Sequence, residues 1–125
     1  MTPTILLGLV VGGATGAVAR HLVDGLVQDH TGGAFPWGTF AVNVTGSLLL
    51  GLITGAVLYH AFPDAPTIWL GSGVCGSYTT FSTFTYETVR LVEEGAAAAA
   101  FLNAVFSLLA GTGAAAVGLV LAATV

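Results

Sequence analysis

The sequence predicts an all-α membrane protein of four transmembrane helices, the third of them broken near its middle. Three observations carry that prediction. First, 55% of the 125 residues are apolar and 6% are charged, whereas a soluble domain carries about 25% charged residues. A soluble chain of this size needs a polar shell that this composition does not supply. Second, the charges sit only at positions 20, 24, 29, 64, 87, 90, 93 and 94, leaving charge-free windows at 1–19, 30–63, 65–86 and 95–125. Third, residues 71–85 crowd glycines and then hydroxyl side chains into the middle of the third window.

A helix crosses hydrocarbon with about 20 apolar residues, and each window is long enough, which places spans at about 4–27, 37–60, 66–92 and 97–123. The first span passes Arg20, whose stem is long enough to snorkel. Asp29, His30, Thr31, Gly32, Gly33 and Pro36 mark the first loop, His60, Pro63, Asp64 and Pro66 the second, and Glu93, Glu94 and Gly95 the third. A barrel would alternate apolar and polar residues, and these runs are continuous. A signal peptide would show a basic start, which is missing here. The whole chain is one four-helix domain, 1–125.

The same composition excludes other classes. With no Lys and only Arg20 and Arg90, the chain has no basic footprint for nucleic acid. One cysteine, Cys75, rules out a disulfide framework or thiolate cage and reads as packing. His21, His30 and His60 have no metal-ligand spacing and read as interfacial. Orientation is weakly specified: two arginines on one side are compatible with insertion both ways.

Gly8, Gly12 and Gly16 recur every fourth residue in the first span, and Ser47, Gly51 and Gly55 repeat the pattern in the second. Gly111 and Ala115 continue it in the fourth. Small residues at this spacing let helix backbones approach closely in lipid, within the chain or against a second one.

In the third span, Gly71, Gly73 and Gly76 precede Ser77, Thr79, Thr80, Ser82, Thr83 and Thr85. Gly and Thr weaken a helix, and a break frees carbonyls and amides that lipid cannot satisfy. Two readings follow: a kinked helix whose hydroxyls bond back to their own turn, or an ion site made from freed backbone groups. The freed groups exceed what one four-helix chain can cover, which predicts a dimer. Phe81 and Phe84, three apart, share a face. An aromatic ring is positive at its edge, so ring edges beside hydroxyls make a weakly electropositive lining without a fixed cation.

Polar side chains on the other spans are also candidates. Thr39, Asn43 and Ser47 are spaced by four, as are Asn103, Ser107 and Gly111. Each mid-span Asn reads either as interhelical glue or as a site, and Asn43 has two N–H donors to aim at an anion. Glu87 lies three residues before Arg90, a spacing that permits a structural ion pair, and it is also the one carboxylate deep enough for a transport role. Arg20 reads as an interface anchor or as a donor to helix carbonyls.

Residues 12–20, 38–47 and 73–84, the last followed by Glu87, resemble in order and spacing the motifs of the Fluc (CrcB-type) fluoride channel family. The third motif, reading Gly-Val-Cys-Gly-Ser-Tyr-Thr-Thr-Phe-Ser-Thr-Phe, is the most specific. The resemblance implies a passive, fluoride-selective channel of the cell membrane that exports toxic fluoride. It implies an antiparallel, dual-topology dimer with two pores, formed with a second copy or a sibling subunit. Carried over, Asn43 is a pore-lining donor, Phe81 and Phe84 are ring-edge ligands of fluoride, and Ser82, Thr83 and Ser107 are hydroxyls along its path. Carbonyls of Gly76 and Thr79 from both chains hold a central structural Na⁺, and Glu87 and Arg20 are gating or structural. Asn103 stands where many relatives carry Tyr, and Tyr78 where a small or aliphatic residue is expected.

Two other functions fit a chain of this size. A small multidrug-type proton-coupled antiporter also has four spans, but its coupling carboxylate lies in the first, and residues 4–19 hold no acid. A structural subunit of a larger membrane complex would show no ion flux of its own. No nucleophile, base and orienter can be assembled for an enzyme.

Overall fold

The computed structural model describes all residues, 1–125, and is helical with no strand. Helix α1 spans Pro3–Thr31. Thr2 caps it, its hydroxyl accepting from the Ile5 N–H at 3.2 Å, and Pro3 sits in the first turn, where its missing N–H costs nothing. The helix runs four residues past its expected end, until Gly32 turns it off at φ 63°. Gln28 then ties the loop down, donating to the carbonyls of Gly33 and Phe35 and accepting from the Gly38 N–H.

Helix α2, Trp37–His60, has the expected bounds. His60 reaches across to the Ala122 carbonyl at 2.7 Å, joining the end of α2 to the end of the last helix. That last helix, α5, spans Ala97–Thr124. α1, α2 and α5 are each long and apolar enough to cross a membrane.

The third crossing is divided. Asp64–Thr67 is α-helical, Ile68–Cys75 is π-helical and Gly76–Tyr78 is α-helical again, forming one rod, α3, over 64–78. Thr79 then turns extended, with ψ 159°, and helix α4 resumes at Ser82–Glu93. The break therefore falls at Thr79, Thr80 and Phe81, after the glycines. At the glycines the rod widens instead, the Gly76 N–H bonding to the Gly71 carbonyl five residues back.

Glycines set the packing distances. A Cβ at Gly8 would overlap the Trp69 ring, one at Gly12 the Trp69 carbonyl, and one at Gly16 the Val74 carbonyl and the Ser77 hydroxyl. The first glycine stripe thus packs on α3 of the same chain, not on a second one. Gly51 faces the Ala115 backbone, and Gly118 faces the Leu48 carbonyl and the Leu52 N–H, so α2 and α5 meet backbone to backbone.

Only 17 of the 125 residues are buried, among them Val42, Leu91 and Cys75, while Leu7, Val10, Val18, Leu22, Phe106 and Leu108 lie exposed. An apolar coat of that extent requires hydrocarbon around it, and the chain is a multi-pass integral membrane protein.

Candidate functional site

The break in the third crossing is where the candidate residues gather. Asn43, from the first third of α2, holds both backbone polar groups of Thr80, which belong to the peptide units on either side of that residue. Its Nδ2 donates to the Thr80 carbonyl, and its Oδ1 accepts from the Thr80 N–H, each at 2.9 Å. An amide is the one uncharged side chain with a donor and an acceptor side by side, and it satisfies the interrupted backbone as a neighbouring strand would. The second Nδ2 proton has no acceptor in the chain.

Thr80 also starts α4. Its hydroxyl accepts from the Thr83 N–H at 3.2 Å and lies 3.1 Å from the Thr83 hydroxyl, with the Ser82 hydroxyl at 3.5 Å. Thr80, one residue before the cap position at Phe81, thus satisfies a free N–H in the first turn of α4. The back-bonding expected of a kinked helix is present as well: Ser77 donates to the Gly73 carbonyl, Thr79 to Cys75 and Thr85 to Phe81.

Two cavities flank the break and share Thr80. One, of 460 Å³, is lined by Asn43, Ser47, Phe81, Phe84 and Ser107 together with Thr79 and Thr80. The Phe81 and Phe84 rings lie 6.0 Å apart, tilted by 45°, and Phe81 is 77% exposed in the single chain. The other cavity, of 200 Å³, is lined by Arg20, His21, Asp24, Thr39, Thr80 and Thr83. The structure thus brings Asn43, Phe81, Phe84 and Ser107 together. It places Thr83 and Arg20 on the other cavity, and it leaves Ser82 exposed beside Thr80.

Glu87 differs from its expected pairing. Arg90 bonds Glu94 at 3.1 Å, and the Glu87 carboxylate turns inward to accept from the Thr39 hydroxyl at 2.5 Å. A partner four residues on lies along the same exposed face as Arg90, whereas Glu87 faces α2. Thr39 is buried, so this bond joins α2 to α4 next to the smaller cavity.

Asn103 is 1% exposed and acts between helices. It donates to the Thr88 hydroxyl at 2.8 Å, and its Oδ1 accepts from Ser107 at 3.3 Å. Ser107 thus lines the larger cavity while its proton points at Asn103.

The carbonyls of Gly76 and Thr79 accept no hydrogen bond from the chain. The Thr79 N–H bonds Cys75 and the Thr80 N–H bonds Asn43, so the donors that would continue the helix are diverted. Orphaned neutral oxygens of this kind fit a monovalent cation. Sequence reasoning singled out Tyr78 but missed its partner: the Tyr78 hydroxyl lies 2.9 Å from the Thr45 hydroxyl of α2. Thr45 stands outside the Thr39–Asn43–Ser47 stripe, so spacing gave no signal for it.

A family model described as "CrcB-like protein, Camphor Resistance (CrcB)" matches residues 7–119. A Streptomyces avermitilis protein named fluoride-specific ion channel FluC 1 is 50% identical over 88% of this chain and 90% of its own length. A Frankia casuarinae protein of the same name is 48% identical over 94% of this chain and 95% of its own. One from Nitrobacter winogradskyi, fluoride-specific ion channel FluC, is 44% identical over 89% of each. With the broken crossing, its Asn43 support and matches over nearly the whole length, the chain belongs to the CrcB-like family.

Proposed function

We propose that this chain is a fluoride-selective channel of the cell membrane, through which fluoride leaves passively and its toxicity is relieved. The observation that carries the reading is the larger cavity. It sets the free N–H of Asn43, the hydroxyls of Ser47 and Ser107 and the rings of Phe81 and Phe84 around one space. Fluoride is small and strongly hydrated, so passage needs donors that replace its water without trapping it. A single amide N–H, the Ser47 hydroxyl and ring edges are such donors, and Ser107 lines the space while its proton turns to Asn103. No Lys or Arg lines that cavity, and Arg20 lies on the other one beside Asp24. Thr80, Thr83, Thr39 and Ser82 would continue the polar line past the break, with Glu87 and Arg20 at its far end in gating or structural roles.

The working unit in this reading is an antiparallel dimer, with a second copy or a sibling subunit. Phe81 stands open to lipid in the single chain, and the break leaves bare carbonyls, and both features call for a partner. The carbonyls of Gly76 and Thr79, with their equivalents from the partner, would hold one Na⁺ at the centre. When bound, its charge favours an anion nearby.

The test is fluoride efflux from liposomes that contain only this protein, with chloride as the control anion. Rapid fluoride efflux without chloride efflux is expected, and no fluoride efflux would overturn the reading.

A further inference from the structure

Tyr78 ends α3, and its hydroxyl lies 2.9 Å from that of Thr45. Proton counting sets the direction of this bond. Thr45 has one proton and gives it to the Ala41 carbonyl at 2.7 Å, so Tyr78 donates and Thr45 accepts. The Tyr78 ring lies over the next residue of α2, Gly46. A Cβ there would come within 3.1 Å of the ring Cδ2 and would overlap the Thr79 methyl. Asn43, on the same helix, holds the N–H and the C=O of Thr80. Three consecutive residues from the end of the rod into the break, Tyr78, Thr79 and Thr80, thus each meet a different residue of α2: Thr45, Gly46 and Asn43.

The same turn carries the unbonded carbonyls of Gly76 and Thr79. A helix carbonyl normally has its direction fixed by the N–H that it accepts. These two have none, so their direction depends on what holds the turn from outside. The Thr79 carbonyl shares one planar peptide unit with the Thr80 N–H, so Asn43, accepting from that N–H, fixes this carbonyl at the far end of the turn. Tyr78 holds the turn between the two carbonyls, and its hydroxyl, at the end of a stiff ring, resists rotation of the turn about the rod axis.

We propose that Tyr78 is a positioning residue for a monovalent cation at the Gly76 and Thr79 carbonyls, acting through its hydroxyl bond to Thr45. The proposal rests on the cation reading given above and adds what gives those oxygens their aim. Neutral carbonyls bind such an ion weakly one at a time, so affinity depends on how well they converge before the ion arrives. The Tyr78 hydroxyl touches neither cation nor anion in this scheme. Its loss removes one neutral hydrogen bond, which corresponds to about a two- to tenfold change in an equilibrium constant.

The experiment is thermal unfolding of the purified protein in detergent over a Na⁺ titration at constant ionic strength. Wild type, Tyr78→Phe, Thr45→Val and the double variant are compared. Wild type is expected to gain stability with Na⁺. Tyr78→Phe, which keeps the ring on Gly46, should need about two- to tenfold more Na⁺ for half of that gain. Thr45→Val should shift the same way, and the double variant no further than either alone, because the two act through one bond. An unchanged Na⁺ midpoint in Tyr78→Phe overturns the proposal and leaves the cation reading standing. A loss of stability equal at every Na⁺ concentration also overturns it, because plain packing behaves that way. A wild type that gains nothing from Na⁺ overturns both.

Discussion

Replacing Asn43 with Leu tests the centre of the site. The substitution removes both hydrogen bonds to the Thr80 backbone, each 2.9 Å long, and leaves its N–H and its C=O at mid-membrane without partners. A buried polar group left unsatisfied costs about 1–3 kcal/mol, so the pair would cost about 2–6 kcal/mol in a dry site. The site is not dry on one side. The adjoining cavity of 460 Å³ has room for water and hydroxyls to hold it, which recovers part of the loss. The expected cost is therefore near the lower end, about 2 kcal/mol, or a melting temperature lower by roughly 5–10 °C. Asn43→Leu also deletes the N–H that faces the cavity. Melting in detergent and fluoride efflux from liposomes should both fall, the first through Thr80 and the second through the cavity. Wild-type melting would mean that the break is satisfied elsewhere, and wild-type efflux would remove Asn43 from the ion path.

Two further substitutions separate packing from electrostatics. Phe81 is mostly exposed in the single chain, so Phe81→Ile should cost under about 1 kcal/mol, and Phe84→Ile under about 1.5 kcal/mol, while both sharply reduce fluoride efflux at matched protein density; unchanged efflux in both would show that the ring edges do not meet the anion. Gly118→Ala should destabilise by about 1–3 kcal/mol, because its methyl would meet the Leu48 carbonyl and the Leu52 N–H, whereas Gly113→Ala, with open space around it, should be neutral or stabilising by thermal melting.

The spans were legible because hydrocarbon thickness leaves a strong mark on composition. α2 begins and ends where the pattern places it, at Trp37 and His60. α1 ends later than its apolar pattern does, because Gln28, Asp29 and His30 continue the helix until Gly32 stops it. The hydroxyl run located the broken region but not the turn. Which residue leaves the helix depends on Asn43, 37 positions away, and no local signal reports a partner at that distance. Nor does any pattern report bonds to the fifth residue back, so the π-helical stretch at Ile68–Cys75 read as weak helix only. For Glu87, spacing offered Arg90, yet a buried hydroxyl from another helix and a better-placed Glu94 decided the outcome.

The pairing of α2 with α5 bears on the order in which the molecule assembles. The glycines of α2 and their partners on α5 are separated by the whole of the divided crossing, and His60 meets Ala122 62 residues further along the chain. While the chain is being made, Gly51 and Gly55 present bare backbone to lipid with nothing yet to cover them. α1 can meet α3 through its glycines, and Asn43 can hold the break, before the final helix has emerged. Insertion of α5 closes the structure in one event, because its two ends join elements already in place: Asn103 grips Thr88 of α4 near the start, and the Ala122 carbonyl takes His60 near the finish. A chain that stalls before that point exposes the same glycine face to any other helix in the bilayer, so late synthesis is the stage most open to mispairing.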